Sequence, residues 1–187
     1  MRPQKITEEL LTERMLEILR SRGYDGSSLT ELAIAGDLKK ASLYHRYPGG
    51  KQNLVQSVLD HYTSLLQERV FKVLKSKKKK PKKRLSMAMN NIVDLYQDGS
   101  VNCLHRALSM ESGKDLFGDQ IRQNCLDWME AFESLGKDLG IKKKQTKQLA
   151  KDSLIKIQGA LILSNIIGDA APFKEVVEEI RSSYLDK

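Results

Sequence analysis

Cysteine is nearly missing from the 187-residue chain: Cys103 and Cys125 are the two present, too few for a disulfide framework or a zinc site of their own. Proline (4) and aromatic residues (6%) are also scarce, which argues against a β-rich or low-complexity chain. Long apolar runs are missing as well. Ala160-Leu161-Ile162-Leu163 is soon broken by Ser164 and Asn165, whereas a membrane span needs roughly 18 apolar residues. Glu8, Glu9, Glu13 and Glu17 fill the stretch where a secretory signal carries its apolar region. These absences predict a reduced, cytoplasmic protein with no membrane partner. The C-terminal half has no nucleophile–base pair in sequence, no phosphate-binding glycine loop and no paired metal-ligand spacing, and His61 and His105 are isolated. The reading is therefore not an enzyme, with no cofactor and no metal.

Charge and helical periodicity are what the chain does have. The formal net charge is +8. The stretch from Lys75 to Arg84, KSKKKKPKKR, holds eight cations and no acid, so it accounts for the whole excess. Overall basicity thus reports one short run and does not by itself indicate nucleic-acid binding. Three readings of the run stay open: a solvated connector, which is favoured; an electrostatic arm for DNA; and a nuclear-import or anionic-lipid patch.

Apolar residues recur at helical spacing nearly everywhere, which predicts an all-α chain of about nine helices with no alternating strand. Leu11, Met15 and Ile18 form the first stripe, and Gly23 is placed to end that helix. Ser28-Leu29-Thr30-Glu31 is a capping box opening a short second helix. Gly36-Asp37 breaks it, a third short helix follows, and Pro48-Gly49-Gly50 closes that one. A long helix starts near Lys51, and Pro81 suits the first turn of the next. A shorter helix is expected from Cys103 to about Ser112 with Gly113 past its end, and long helices follow to the C-terminal region. The expected organisation is a DNA-binding part over 1–50, a connecting helix and basic loop over 51–84, and a helical part over 85–187.

Two short helices joined by a tight turn suggest a helix-turn-helix, in which the second helix enters the major groove. Leu29, Leu32, Ala33, Leu38 and Leu43 supply a shared core. Lys39, Lys40, Ala41, Ser42, Tyr44, His45 and Arg46 then point outward. Small Ala41 and Ser42 allow close approach to base edges, and the cations suit phosphate or guanine. Tyr47 reads best as a core aromatic.

Residues 28–54, SLTELAIAGDLKKASLYHRYPGGKQNL, resemble the signature of the TetR family of bacterial transcriptional regulators. Residues 42–51 are similar to its drug- and flavonoid-responsive (LmrA/YxaF-like) branch, as are Gln158–Leu163 and Gly168–Phe173. The resemblance implies a repressor that binds a pseudo-palindromic double-stranded DNA operator as a homodimer and is released by a small apolar effector. It implies DNA-binding roles for Ser28, Thr30, Lys39, Lys40, Ala41, Ser42, Tyr44, His45 and Lys51, with Tyr44 and Lys51 on phosphates. It makes the C-terminal half a ligand-binding and dimerisation domain. Candidate pocket residues are Tyr62, Tyr96, Leu104, Met110, Trp128 and Phe132. Leu154, Ile157, Gly159, Ala160, Leu161, Ser164, Phe173 and Val177 are candidates for the dimer contact. Asp37 stands where the family usually has glycine, and Lys39 where Ser or Pro is common. A different class remains as the alternative: an architectural protein that binds nucleic acid without sequence preference through residues 75–84.

Overall fold

A computed structural model describes residues 6–186. Among the described residues the chain forms nine helical rods and no strand. They are α1 (Glu8–Arg22), α2 (Leu29–Ala35), α3 (Lys40–Arg46) and α4 (Gly50–Leu66), the last continuing through a π turn (Gln67–Phe71) into α5 (Lys72–Lys75). Then come α6 (Pro81–Leu95), α7 (Leu104–Leu108), α8 (Glu111–Asp138), α9 (Lys143–Ile167) and α10 (Ala171–Leu185). Compactness divides the described chain into two units, 6–63 with 104–119, and 64–103 with 120–186.

In the first unit, local chemistry sets both ends of α1, the start of α2 and the turn after it. The Thr7 hydroxyl accepts from the Leu10 N–H at 3.3 Å to start α1, with Glu8 and Glu9 in the first turn and Arg20 and Arg22 in the last, as the helix dipole favours. Gly23 ends it at φ 68°, ψ −167°, a conformation reserved for glycine. A Cβ there would also lie 2.6 Å from the Ala107 carbonyl oxygen, so a side chain would push α7 away from α1. The Ser28 hydroxyl accepts from the Glu31 N–H at 3.2 Å, and the Glu31 carboxylate accepts from the Ser28 N–H at 2.8 Å. Both halves of the capping box are therefore present, and one such cap contributes about 1 kcal/mol. Asp37 turns the chain at φ 50°, a left-handed conformation that Asp tolerates better than most residues. Seven-residue helices are unstable alone. Burial of Leu32, Ala33, Leu43 and Tyr47 beside Leu11, Met15 and Leu19 holds α2 and α3 in place, each large side chain contributing about 1.5–3 kcal/mol.

The second unit is built on aromatic packing and the α9–α10 pair. Trp128 stacks on Phe132 with centroids 5.4 Å apart and meets Phe71 edge-on at 6.1 Å; Phe132 reaches Tyr184 at 5.8 Å. The indole N–H donates to the Ser153 hydroxyl at 3.2 Å. Gly168 closes α9 in the left-handed region, and the Ser164 hydroxyl accepts from the Phe173 N–H at the start of α10.

Two sequence expectations change. Gly113 does not follow a helix but lies inside α8, because α7 ends at Leu108. A Cβ on Gly113 would sit 2.7 Å from the Leu108 carbonyl oxygen, so glycine serves close approach there. The basic run is not simply a solvated connector. Arg84 is buried, donates to the Leu74 carbonyl at 2.7 Å and pairs with Asp138 at 2.6 Å, while Lys77 shares Asp138 and Lys75 pairs with Glu130. Of the expected dimer residues, Ile157, Ala160, Leu161, Ser164, Phe173 and Val177 are buried within the chain, and Leu154 is half-buried. Helices α9 and α10 pack against each other within the chain. Gly159 alone is exposed.

His105 packs edge-on against Tyr62 at 5.1 Å, and burial lowers its pKa to about 4. The folded chain therefore favours neutral His105. Its contribution is intact above the unfolded pKa of about 6.5 and is lost as pH falls toward 4, at up to about 1.4 kcal/mol per pH unit. Urea unfolding at pH 7 and pH 4.5 is expected to show a smaller acid loss for His105→Phe than for the natural chain.

Candidate nucleic-acid interface

The third helix is two-faced by spacing alone. Leu43 and Tyr47, four residues apart, are buried, while Lys40, Ala41, Tyr44 and His45 are exposed and Ser42 is half-buried. Lys39 is the residue before the helix, in extended backbone at φ −72°, ψ 144°. Among the described residues neither Lys39 nor Lys40 makes an ion pair. The exposed face is thus a basic surface with a small residue at its centre.

Its orientation is held from behind. Arg46, grouped with the outward residues by sequence, instead turns back to α1, where its guanidinium pairs with Glu8 at 2.6 Å. The Tyr47 hydroxyl donates to the other oxygen of the same carboxylate at 2.9 Å. Burial, reinforced by this bond to Glu8, pushes the Tyr47 pKa up to about 12. Tyr47 is therefore a core aromatic with a polar tether, and no signal in the local sequence points to Glu8, 38 residues before Arg46.

Tyr44 is 48% exposed and its ring lies beside Gly50, the first residue of α4. The N–H groups of the first turn of α4 have no acceptor within the helix and favour an anion there. A cleft of about 490 Å³ opens beside it, lined by Pro48, Gly49, Gln52, Asn53 and Gln56. Gln52, Asn53 and Gln56 lie outside the candidates expected from sequence; their polar character in the first turns of an otherwise apolar-striped helix is the signal that marks them. Lys51 places its ammonium 4.1 Å above the Tyr24 ring, a cation–π contact that competes with any phosphate. Ser28 is committed to the capping box, and Thr30 is exposed beside it. The Ser28 backbone N–H and hydroxyl, together with Arg22, hold the Glu31 carboxyl below its ordinary range.

The expected pocket residues divide between the two units. Tyr62 and Leu104 are buried in the first, where the Arg20 guanidinium lies 5.4 Å from the Tyr62 ring centre, and Met110 is 60% exposed. Tyr96, Trp128 and Phe132 are buried in the second, with the Tyr96 hydroxyl 3.6 Å from the Cys103 sulfur.

No family model matches the chain. The HTH-type transcriptional repressor DhaR of Mycobacterium sp. (strain GP1) is 25% identical over 184 residues, covering 94% of this chain and 90% of that protein. The uncharacterized HTH-type transcriptional regulator YuxN of Bacillus subtilis is 24% identical over 159 residues, 83% of this chain, and the match spans about half (47%) of YuxN. A TetR transcriptional regulator from Legionella pneumophila superposes with a TM-score of 0.80 at 19% identity, covering 97% of this chain and 98% of that one. The TetR-family regulator CifR, as a cysteine mutant in complex with a 26-base-pair operator, gives 0.75 at 18% identity over 97% and 98%. Among the described residues no helix is long and apolar enough to cross a membrane. The helix-turn-helix and the helices after it are therefore arranged in the fold of the TetR-family transcriptional regulators.

Proposed function

We propose that the chain is a sequence-specific DNA-binding transcriptional regulator, a repressor that binds a pseudo-palindromic operator as a dimer and leaves it when a small apolar ligand binds. The observation that carries this reading is the free face of α3. Lys39, Lys40, Ala41, Tyr44 and His45 are exposed together while Leu43 and Tyr47 anchor the opposite side. A rigidly backed helix of that composition suits the major groove, with cations on phosphate or guanine and Tyr44 on phosphate beside the amino end of α4. The relatedness to a repressor and the likeness to an operator-bound regulator favour the same reading. Ligand release requires unequal affinity of the ligand for the DNA-competent and incompetent states. The resemblance of residues 42–51 to the drug- and flavonoid-responsive branch supports an apolar ligand.

For the dimer contact, the reading uses the exposed apolar face of α9. Ile155, Gly159, Leu163 and Ile166 follow one another at helical spacing, and the three apolar side chains are 56%, 48% and 76% exposed. Exposed apolar stripes of this kind mark association surfaces, and Gly159 allows close approach of a second copy. Leu163→Glu with Ile166→Glu is expected to convert a dimer to a monomer in sedimentation velocity while the helical content stays unchanged.

The alternative rests on Lys78, Lys79, Lys80, Lys82 and Lys83, which are exposed and have no carboxylate partner among the described residues. One pair of variants separates the two readings, assayed on an operator selected from random duplexes. Lys40→Ala with Tyr44→Phe is expected to weaken operator binding by about a hundredfold, since each lost charged contact is worth roughly 1.5–3 kcal/mol. Glutamine at those five lysines is expected to leave operator binding within about threefold and to reduce binding to random DNA. The opposite pattern would assign binding to the basic run.

A further inference from the structure

A second cleft, also of about 490 Å³, lies wholly within the first unit, between the end of α1 with its following loop and α7 with the start of α8. Its size suits a small molecule. Three arginines, Arg20, Arg22 and Arg106, are among its lining residues, together with the acidic Asp25 and Glu111. Each charged group has a different standing. Arg20 is 5% exposed and is held over the Tyr62 ring. Arg22 pairs with Glu31. Asp25 accepts from the Ser112 N–H at 3.1 Å, so its charge is directed at the first turn of α8. Arg106 is exposed and makes no ion pair among the described residues. The α1 dipole explains cations at 20 and 22. It does not explain a third one, on a different helix, facing the same cleft.

We propose that this cleft is a binding site for a small organic anion, a carboxylate or phosphate ester whose charge sits between Arg22 and Arg106 and whose apolar body lies against Ala107 and Met110. Guanidinium forks match the two oxygens of such groups in bidentate fashion. The walls are fixed: Gly23 brings the end of α1 against the Ala107 carbonyl so closely that a Cβ would lie 2.6 Å from it. Arg20, buried and held over the Tyr62 ring, adds positive charge beneath. Met110, 60% exposed at the mouth, is an apolar group for the ligand to cover.

The site also reaches the helix-turn-helix through one residue. Arg22 pairs with the same Glu31 carboxylate that accepts from the Ser28 N–H and caps α2. An anion that draws Arg22 away leaves the cap without its cation and shifts the balance of α2, which packs on α3. This coupling rests on the DNA-binding reading above; anion binding itself does not. By linkage, the anion and the operator then change each other's affinity by the same factor.

Titration calorimetry of the full chain without DNA tests the site, with phenyl phosphate as the probe and inorganic phosphate as the control. One phenyl phosphate per chain is expected, bound more tightly than inorganic phosphate. Arg106→Ala is expected to weaken it about tenfold and Arg106→Glu more, with Arg106→Lys between, because the lost bond is a charge-assisted one between guanidinium and oxyanion. Arg106 is exposed, so unchanged thermal melting of these variants is expected. Equal binding by the natural chain and Arg106→Glu, or no binding at millimolar probe, overturns the proposal. So does a third result, in which Arg106→Ala weakens DNA binding while the free chain takes no phenyl phosphate, since the anion is then a DNA phosphate. The coupling is read separately, as a change in operator affinity with phenyl phosphate that Arg106→Glu abolishes. If the chain bound no operator, the calorimetric result would stand unaffected.

Discussion

Glu8, in the first turn of α1, accepts from both Arg46 and Tyr47 at the far end of α3, at 2.6 and 2.9 Å. The placement of α3 depends on this junction. A seven-residue helix cannot fix its own direction in water, and α3 has only Leu43 and Tyr47 buried beneath it. Apolar contacts hold it down but define its rotation poorly. Two directed bonds to one carboxylate define both the roll of the helix and the angle at which it leaves α1. Glu8 is largely exposed, so the gain is in orientation more than in stability. With Arg46 and Tyr47 turned inward, Lys40, Ala41, Tyr44 and His45 remain as the outward face.

The same unit ties α2 to α1 and α1 to α7 through contacts at the end of α1. Helix α2 begins on a capping box whose carboxylate also holds Arg22 at the end of α1. Helix α1 is pressed onto α7 through Gly23. From the end of α1 at the α1–α7 cleft, a short, polar route through Arg22 and Glu31 leads to the start of α2. Packed elements of this kind change between discrete arrangements more readily than they deform.

Features governed by near neighbours were legible in the sequence. The Ser28–Glu31 box, the glycine stop at 23, the left-handed Asp37 and Pro81 in the first turn of α6 each depend on a few adjacent residues. Features governed by distant partners were not. The basic run is tied down by Asp138, 54 residues from Arg84, and no local pattern shows that. Gly113 looked like a helix end because glycine usually is one; here it is kept small by the Leu108 carbonyl. On α9 apolar residues cover two faces, Ile157 and Leu161 against Ile155 and Leu163. Periodicity marks both without saying which one α10 takes. Residues 28–54 declared their chemistry early because helix-turn-helix geometry constrains nearly every position. The pocket residues carried no such constraint, and they lie in two separate units.

The central claim is that α3 reads a DNA sequence as one of a symmetric pair. Footprinting of the purified chain on DNA upstream of its own gene, across a salt series with random duplex as competitor, addresses it directly. The account predicts two protected half-sites with centres about one helical turn apart, surviving competitor at salt concentrations that abolish non-specific binding. Protection that competitor removes as readily as it removes binding to random DNA, on that fragment and across a genomic library, would contradict it.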